Sequence, residues 1–140
     1  MSSERRAGDS PAAGGRRSLL AWRVASALLL LAMGGIHLYL VISGTGGLLG
    51  ALFVVNALGS LVLAVAMVGL HRRLLLTSVL SLLLMAGTLL ALVIALTPAG
   101  LFGLRSSLSY QLAPTSLVVE SVGVLVLAVT AVLVFRERAD

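Results

Sequence analysis

The chain contains no cysteine and no lysine, and only five acidic residues among 140. Without cysteine there can be no disulfide framework, thiol relay, zinc–thiolate site or iron–sulfur cluster. The same absence says nothing about compartment, because no thiol is left to oxidise. All ten basic residues are arginine, which together with the Ala, Leu, Val and Gly content suggests a GC-rich coding genome. Charged residues make up 11% of the chain, against about a quarter in soluble domains. A water-facing globular surface cannot be built from so little charge. The isoelectric point near 11.4 does not point to nucleic acid, since the excess charge is small, flanks apolar runs and lacks aromatic interleaving.

What the chain has instead is 59% hydrophobic residues and a mean hydropathy of +1.13, gathered into four long runs. The predicted fold is an all-α membrane protein, an up-down bundle of four transmembrane helices with lipid as its main solvent. Residues 1–18 read as a disordered cytoplasmic tail. The transmembrane domain covers 19–135, with spans at about 24–42, 48–70, 74–96 and 116–135, each long enough for ~30 Å of hydrocarbon. Residues 136–140 form a second cytoplasmic tail. The first run is too long for the apolar core of a signal peptide and is followed by no small-residue cleavage site. The 97–115 connection, bounded by Pro98 and Pro114, carries Leu101, Leu104, Leu108 and Leu112 at helical spacing. It reads either as a short helix in the headgroup region or as an irregular apolar loop.

Nine arginines fall before span one, between spans two and three, or after span four. Only Arg105 falls on the other side. The positive-inside rule then predicts cytoplasmic termini in a plasma membrane, with Trp22 and Tyr39 as interfacial anchors. Gly87, Ala91 and Ala95 recur every four residues along span three and predict a helix-packing seam. Ser60 and Ala64 make a shorter one, and Gly34 allows another close approach. Gly47-Leu48-Leu49-Gly50 and Gly100-Leu101-Phe102-Gly103 follow spans one and three, an echo that a duplicated hairpin would leave but that chance readily leaves in so Gly- and Leu-rich a chain.

Ionisable groups within spans are costly, so they are the first functional candidates. They are His37 in span one and Glu120 in span four, with Asn56 from span two beside them. Helix rise puts His37 about 8 Å, Glu120 about 5–6 Å and Asn56 about 12 Å below the same membrane face. They form a candidate polar ligand or proton site if the helix rotations bring them together. Otherwise Glu120 sits at the interface and His37 is structural glue between helices. No haem is expected, because His37 and His71 stand near opposite faces. No metal is expected either, since His37 and Glu120 alone are too few ligands. No nucleophile with a base, phosphate loop or paired-carboxylate centre appears, so no enzyme and no cofactor are expected.

Ile36-His37-Leu38-Tyr39-Leu40, Leu52-Phe53-Val54-Val55-Asn56-Ala57 and Gly100-Leu101-Phe102-Gly103, in that order, resemble a group of small four-span membrane proteins common in actinobacteria. The likeness spans roughly 19–135. It implies a bacterial plasma membrane and interest in His37 and Asn56. The group is functionally uncharacterised, so the likeness implies no reaction. One departure is the first loop, here only Ser43 to Gly47, where the group has a longer loop with an aromatic–basic pair and a proline. Small multidrug carriers also have four spans, but their acidic residue lies in the first helix, and span one here has none. The leading expectation is a non-enzymatic accessory or interaction subunit, bound to lipid and to a membrane-protein partner or a second copy. The alternative is a small proton-linked carrier or sensor using His37, Asn56 and Glu120.

Overall fold

A computed structural model describes residues 11–110 and 112–139. It holds four helices: α1 Pro11–Ile42, α2 Gly47–Gly69, α3 Leu74–Ala95 and α4 Ala113–Ala139. All four are long and apolar enough to cross a membrane. Even the shortest, α3 with 22 residues, reaches about 33 Å at 1.5 Å per residue. Where water is absent, the helix is the one local structure that satisfies its own backbone hydrogen bonds, which is why each apolar run takes this form.

Short connections make successive helices antiparallel, and α4 closes back on α1 to complete a ring. Contacts along the axis show the alternation. Arg23 of α1 meets Met67 of α2, Gly34 meets Ser60, Asn56 meets Thr88 of α3, and Ser26 meets Thr130 of α4. Both described helix ends that lead to the termini, and the 70–73 connection, lie at one end of the bundle. The 97–112 loop and the 43–46 turn lie at the other.

The interior is half polar. Among the described residues, eleven buried polar or charged side chains stand against eleven buried apolar ones, while long rows of Leu and Val face outward. In water this arrangement would be upside down. In lipid it is expected, because outward Leu and Val are solvated by acyl chains and the helices are joined by small residues and hydrogen bonds. The apolar part of the core is built around Leu30, Met33, Met67, Met85 and Leu127, all fully buried.

Several sequence expectations change at the element ends. Residues 11–18 belong to α1 rather than to a disordered tail. Pro11 suits a first turn, where its missing N–H costs nothing, and Ala12 and Ala13 favour helix. The expected disorder of residues 1–10 lies outside the described residues. Helix α4 starts at Ala113, three residues before the expected span, with Pro114 again in a first turn. The described residues of the 97–112 segment are irregular, so of the two readings the apolar loop is the one adopted. Leu101 and Leu104 pair through two backbone hydrogen bonds of 2.8 Å, and Phe102 (φ 52°) and Gly103 (φ 78°) make the two-residue turn between them. Positive φ at both turn positions is the pattern of a type I′ hairpin. By contrast, Gly47-Leu48-Leu49-Gly50 opens helix α2. The two Gly-Leu-x-Gly segments therefore share letters and not conformation, as a chance match in a Gly- and Leu-rich chain would.

Candidate functional site

The loop end of the ring encloses a cavity of about 210 Å³ to which all four helices contribute. His37 and Leu40 come from α1, Leu49 and Phe53 from α2, Thr88, Ala91 and Ala95 from α3, and Ser116 and Glu120 from α4. The loop supplies Arg105, Ser106 and Tyr110. Ser106 N–H donates to Ala95 O at 2.8 Å, which ties the loop back onto the end of α3. Across the ring, the Thr45 and Tyr110 hydroxyls are 3.4 Å apart.

Two of the three polar residues singled out from the sequence face this space together. His37 is buried, and its ring N–H at Nδ1 donates to Met33 O, one turn back, at 2.9 Å. That bond fixes the ring and leaves Nε2 as an acceptor in the neutral tautomer. Phe53 packs edge-on against the ring, with centroids 4.8 Å apart and planes at 79°. Glu120 is 1% exposed. Its Oε2 is buried without a hydrogen-bond partner. The two side chains share a cavity wall and make no hydrogen bond to each other.

Asn56 has a different job. Its amide donates to Thr88 Oγ1 at 2.6 Å and accepts from Ser60 Oγ at 3.3 Å. It joins α2 to α3 behind the cavity wall, and it is Thr88 that faces the space. The predicted seam of Gly87, Ala91 and Ala95 is also placed elsewhere. Gly87 is exposed, and a Cβ there would meet nothing within 4 Å, while Ala91 and Ala95 line the cavity. Small residues every four positions define a face, and here that face gives Ala91 and Ala95 to the cavity and leaves Gly87 exposed. The tight approaches are at Gly34, where a Cβ would come within 3.0 Å of Ser60 Cβ, and at Gly123, where it would meet the Met85 side chain at 2.6 Å.

Arg105 was legible only as an exception to charge asymmetry. It lines the cavity rim and has no hydrogen-bond or ion-pair partner among the described residues. Arg23 had read as one more positive flank. It is 5% exposed, and its guanidinium donates to Met67 O at 2.9 Å and Val68 O at 2.8 Å. These carbonyls belong to the last turn of α2, which has no intrahelical donors for them. The charge also complements the negative end of that helix.

Among the described residues, no group of three or more His, Asp or Glu side chains could hold a metal ion. Neither a family model, a curated protein nor a solved structure matches this chain. The actinobacterial resemblance rests on its three short motifs.

Proposed function

We propose that this chain is a non-enzymatic, multi-pass protein of a bacterial plasma membrane that binds a small polar ligand at its non-cytoplasmic end, as a sensor or carrier. The orientation is supported by the nine-to-one division of the arginines. One observation carries the ligand reading: Glu120, on the wall of a cavity shared with His37, is buried with an unpartnered Oε2. A buried carboxyl without a partner is costly. A cavity this size, open to a polar guest, gives the group something to bind.

The test is thermal melting of the purified protein in mild detergent against a panel of small cations, anions and zwitterions. The expected outcome is that at least one class raises the melting temperature of the wild type and leaves Glu120→Gln unmoved. A panel in which wild type and Glu120→Gln respond alike would sink the reading.

A second reading, the accessory subunit, is supported by a shallow apolar trough on the outside of α1 and α2. Leu31, Gly34, Gly35, Leu38, Ala57 and Leu61 line it, and the exposed Gly35, with nothing within 4 Å of a Cβ, would let another helix approach closely. Under that reading a stoichiometric membrane partner co-purifies with wild type and Glu120→Gln alike.

A further inference from the structure

The cavity is polarised along its depth. At its floor lies Glu120, whose buried Oε2 has no hydrogen-bond partner, and His37, having spent its Nδ1 proton on Met33 O, offers a ring acceptor. Thr88 adds no donor there, because its hydroxyl proton goes to Leu84 O at 2.8 Å. At the rim the pattern reverses. Arg105, exposed and unpaired among the described residues, presents a guanidinium, the side chain best shaped to hold a carboxylate or phosphate. Between floor and rim the lining is mostly apolar, with Leu40, Leu49, Phe53, Leu92 and Leu101, and carries one hydroxyl, that of Ser116, a turn above Glu120.

Acceptors below, a cation above and hydrocarbon between describe a complementary guest. We propose that the cavity takes a small zwitterion, its ammonium lowered onto Glu120 and its anionic group held at the rim by Arg105. This deepens the ligand reading above and rests on it. A simple cation would satisfy Glu120 but would enter past an uncompensated arginine. A simple anion would satisfy Arg105 and leave the floor unpartnered. Only a guest with both charges meets both ends. Glu120 is seven residues into α4, about 10 Å below the helix start, so the two charges need a spacer of several carbons or long-armed contacts. The same chemistry could come from a free ω-amino acid or from the ammonium-and-phosphate headgroup of an aminophospholipid, since the rim lies at the bundle end.

The test uses the whole protein and four probes: 4-aminobutyrate, 6-aminohexanoate, hexylamine and hexanoate, with binding read by calorimetry. A zwitterion is expected to bind about tenfold or more tightly than either half-probe, the least that one added charge-assisted contact should give. Glu120→Gln should reduce it to the level of hexanoate, and Arg105→Gln to the level of hexylamine. Glu120→Asp keeps the charge on a shorter arm. It should keep the zwitterion preference and shift it toward the longer homologue, which guards against a Gln variant that simply misfolds. Repeating the titration in nanodiscs of anionic phospholipid, with and without phosphatidylethanolamine, separates the sources. Loss of probe binding when phosphatidylethanolamine is present assigns the headgroup, and unchanged binding assigns a free zwitterion.

If hexylamine binds as tightly as either zwitterion and needs Glu120, the zwitterion proposal is overturned while the ligand reading survives. If no probe shows saturable, Glu120-dependent binding, the zwitterion proposal falls, and the broader solute panel then decides the ligand reading.

Discussion

Arg23 shows how one side chain can carry more of this fold than any apolar contact. Inside lipid, burying hydrocarbon against hydrocarbon gains little, and hydrogen bonds between helices average only about 0.6 kcal/mol. The Asn56 amide bond to Thr88 belongs to that ordinary class, so Asn56→Ala should cost about 1 kcal/mol. Arg23 differs because it supplies two charge-assisted bonds to carbonyls at the end of α2 that have no other donor. Hydrogen bonds to charged groups contribute about 1.5–3 kcal/mol each. Arg23→Met should therefore lower stability by roughly 2–4 kcal/mol, given that the two bonds share one side chain. Arg23→Lys should fall between, since an ammonium keeps the charge and loses the fork. Unfolding by a titrated denaturing detergent, followed by circular dichroism, ranks the four proteins. Equal midpoints for Arg23→Met and Asn56→Ala would refute the ranking.

At the scale of elements, the glycines separate faces that look alike in sequence. Gly34 packs where a Cβ would sit 3.0 Å from Ser60 Cβ and 3.4 Å from Ala57 O. Backbone cannot swing aside as a side-chain tip can, so α1 and α2 must part to admit even one methyl. Gly34→Val should cost about 1–3 kcal/mol through overpacking. Gly87 faces open space, and Gly87→Ala should be neutral or should stabilise by up to about 1 kcal/mol, through helix propensity. Melting both variants in the same detergent checks the pair, and a reversed order would mean that the helices meet on other faces.

The contrast also marks what the sequence could convey. Four helices were legible because four runs of apolar residues exceed the hydrocarbon thickness and admit no other structure. The close approach at Gly34 was legible from residue size alone. The role of Gly87 was not, because spacing gives a face without giving the neighbour that face meets. The same limit split the polar trio. Helix rise put His37, Asn56 and Glu120 toward one end of their helices, but only helix rotation turns His37 and Glu120 to the cavity and Asn56 behind it. The 97–112 loop lay furthest out of reach. Its leucines at helical spacing leave a short helix and an irregular apolar loop both open, and it is Gly100 (φ 67°) and Gly103 (φ 78°) that turn the chain into a hairpin and drop Arg105 onto the rim.

For the whole molecule, everything functional depends on which way the bundle faces. The fold puts the termini-bearing helix ends and the 70–73 connection at one end and the cavity at the other, so a single fact orients all of it. Seven described arginines at the terminal end predict that end to be cytoplasmic, because positive flanks are retained during insertion. The chain has no cysteine, so single cysteines can be introduced without a background signal. Ser107→Cys lies in the exposed loop, and His71→Cys and Ala139→Cys lie at exposed positions of the opposite end. In intact bacterial cells a membrane-impermeant maleimide should label Ser107→Cys, and should reach the other two only after permeabilisation. The reverse pattern would turn the cavity toward the cytoplasm. It would then be supplied from the cytosol, and Arg105 would no longer be an exception to the charge rule but those seven arginines would. A lone arginine on the translocated side makes the first pattern the expected one. Insertion would disfavour it there, and its position on the rim of the cavity that holds Glu120 supplies a reason to keep it.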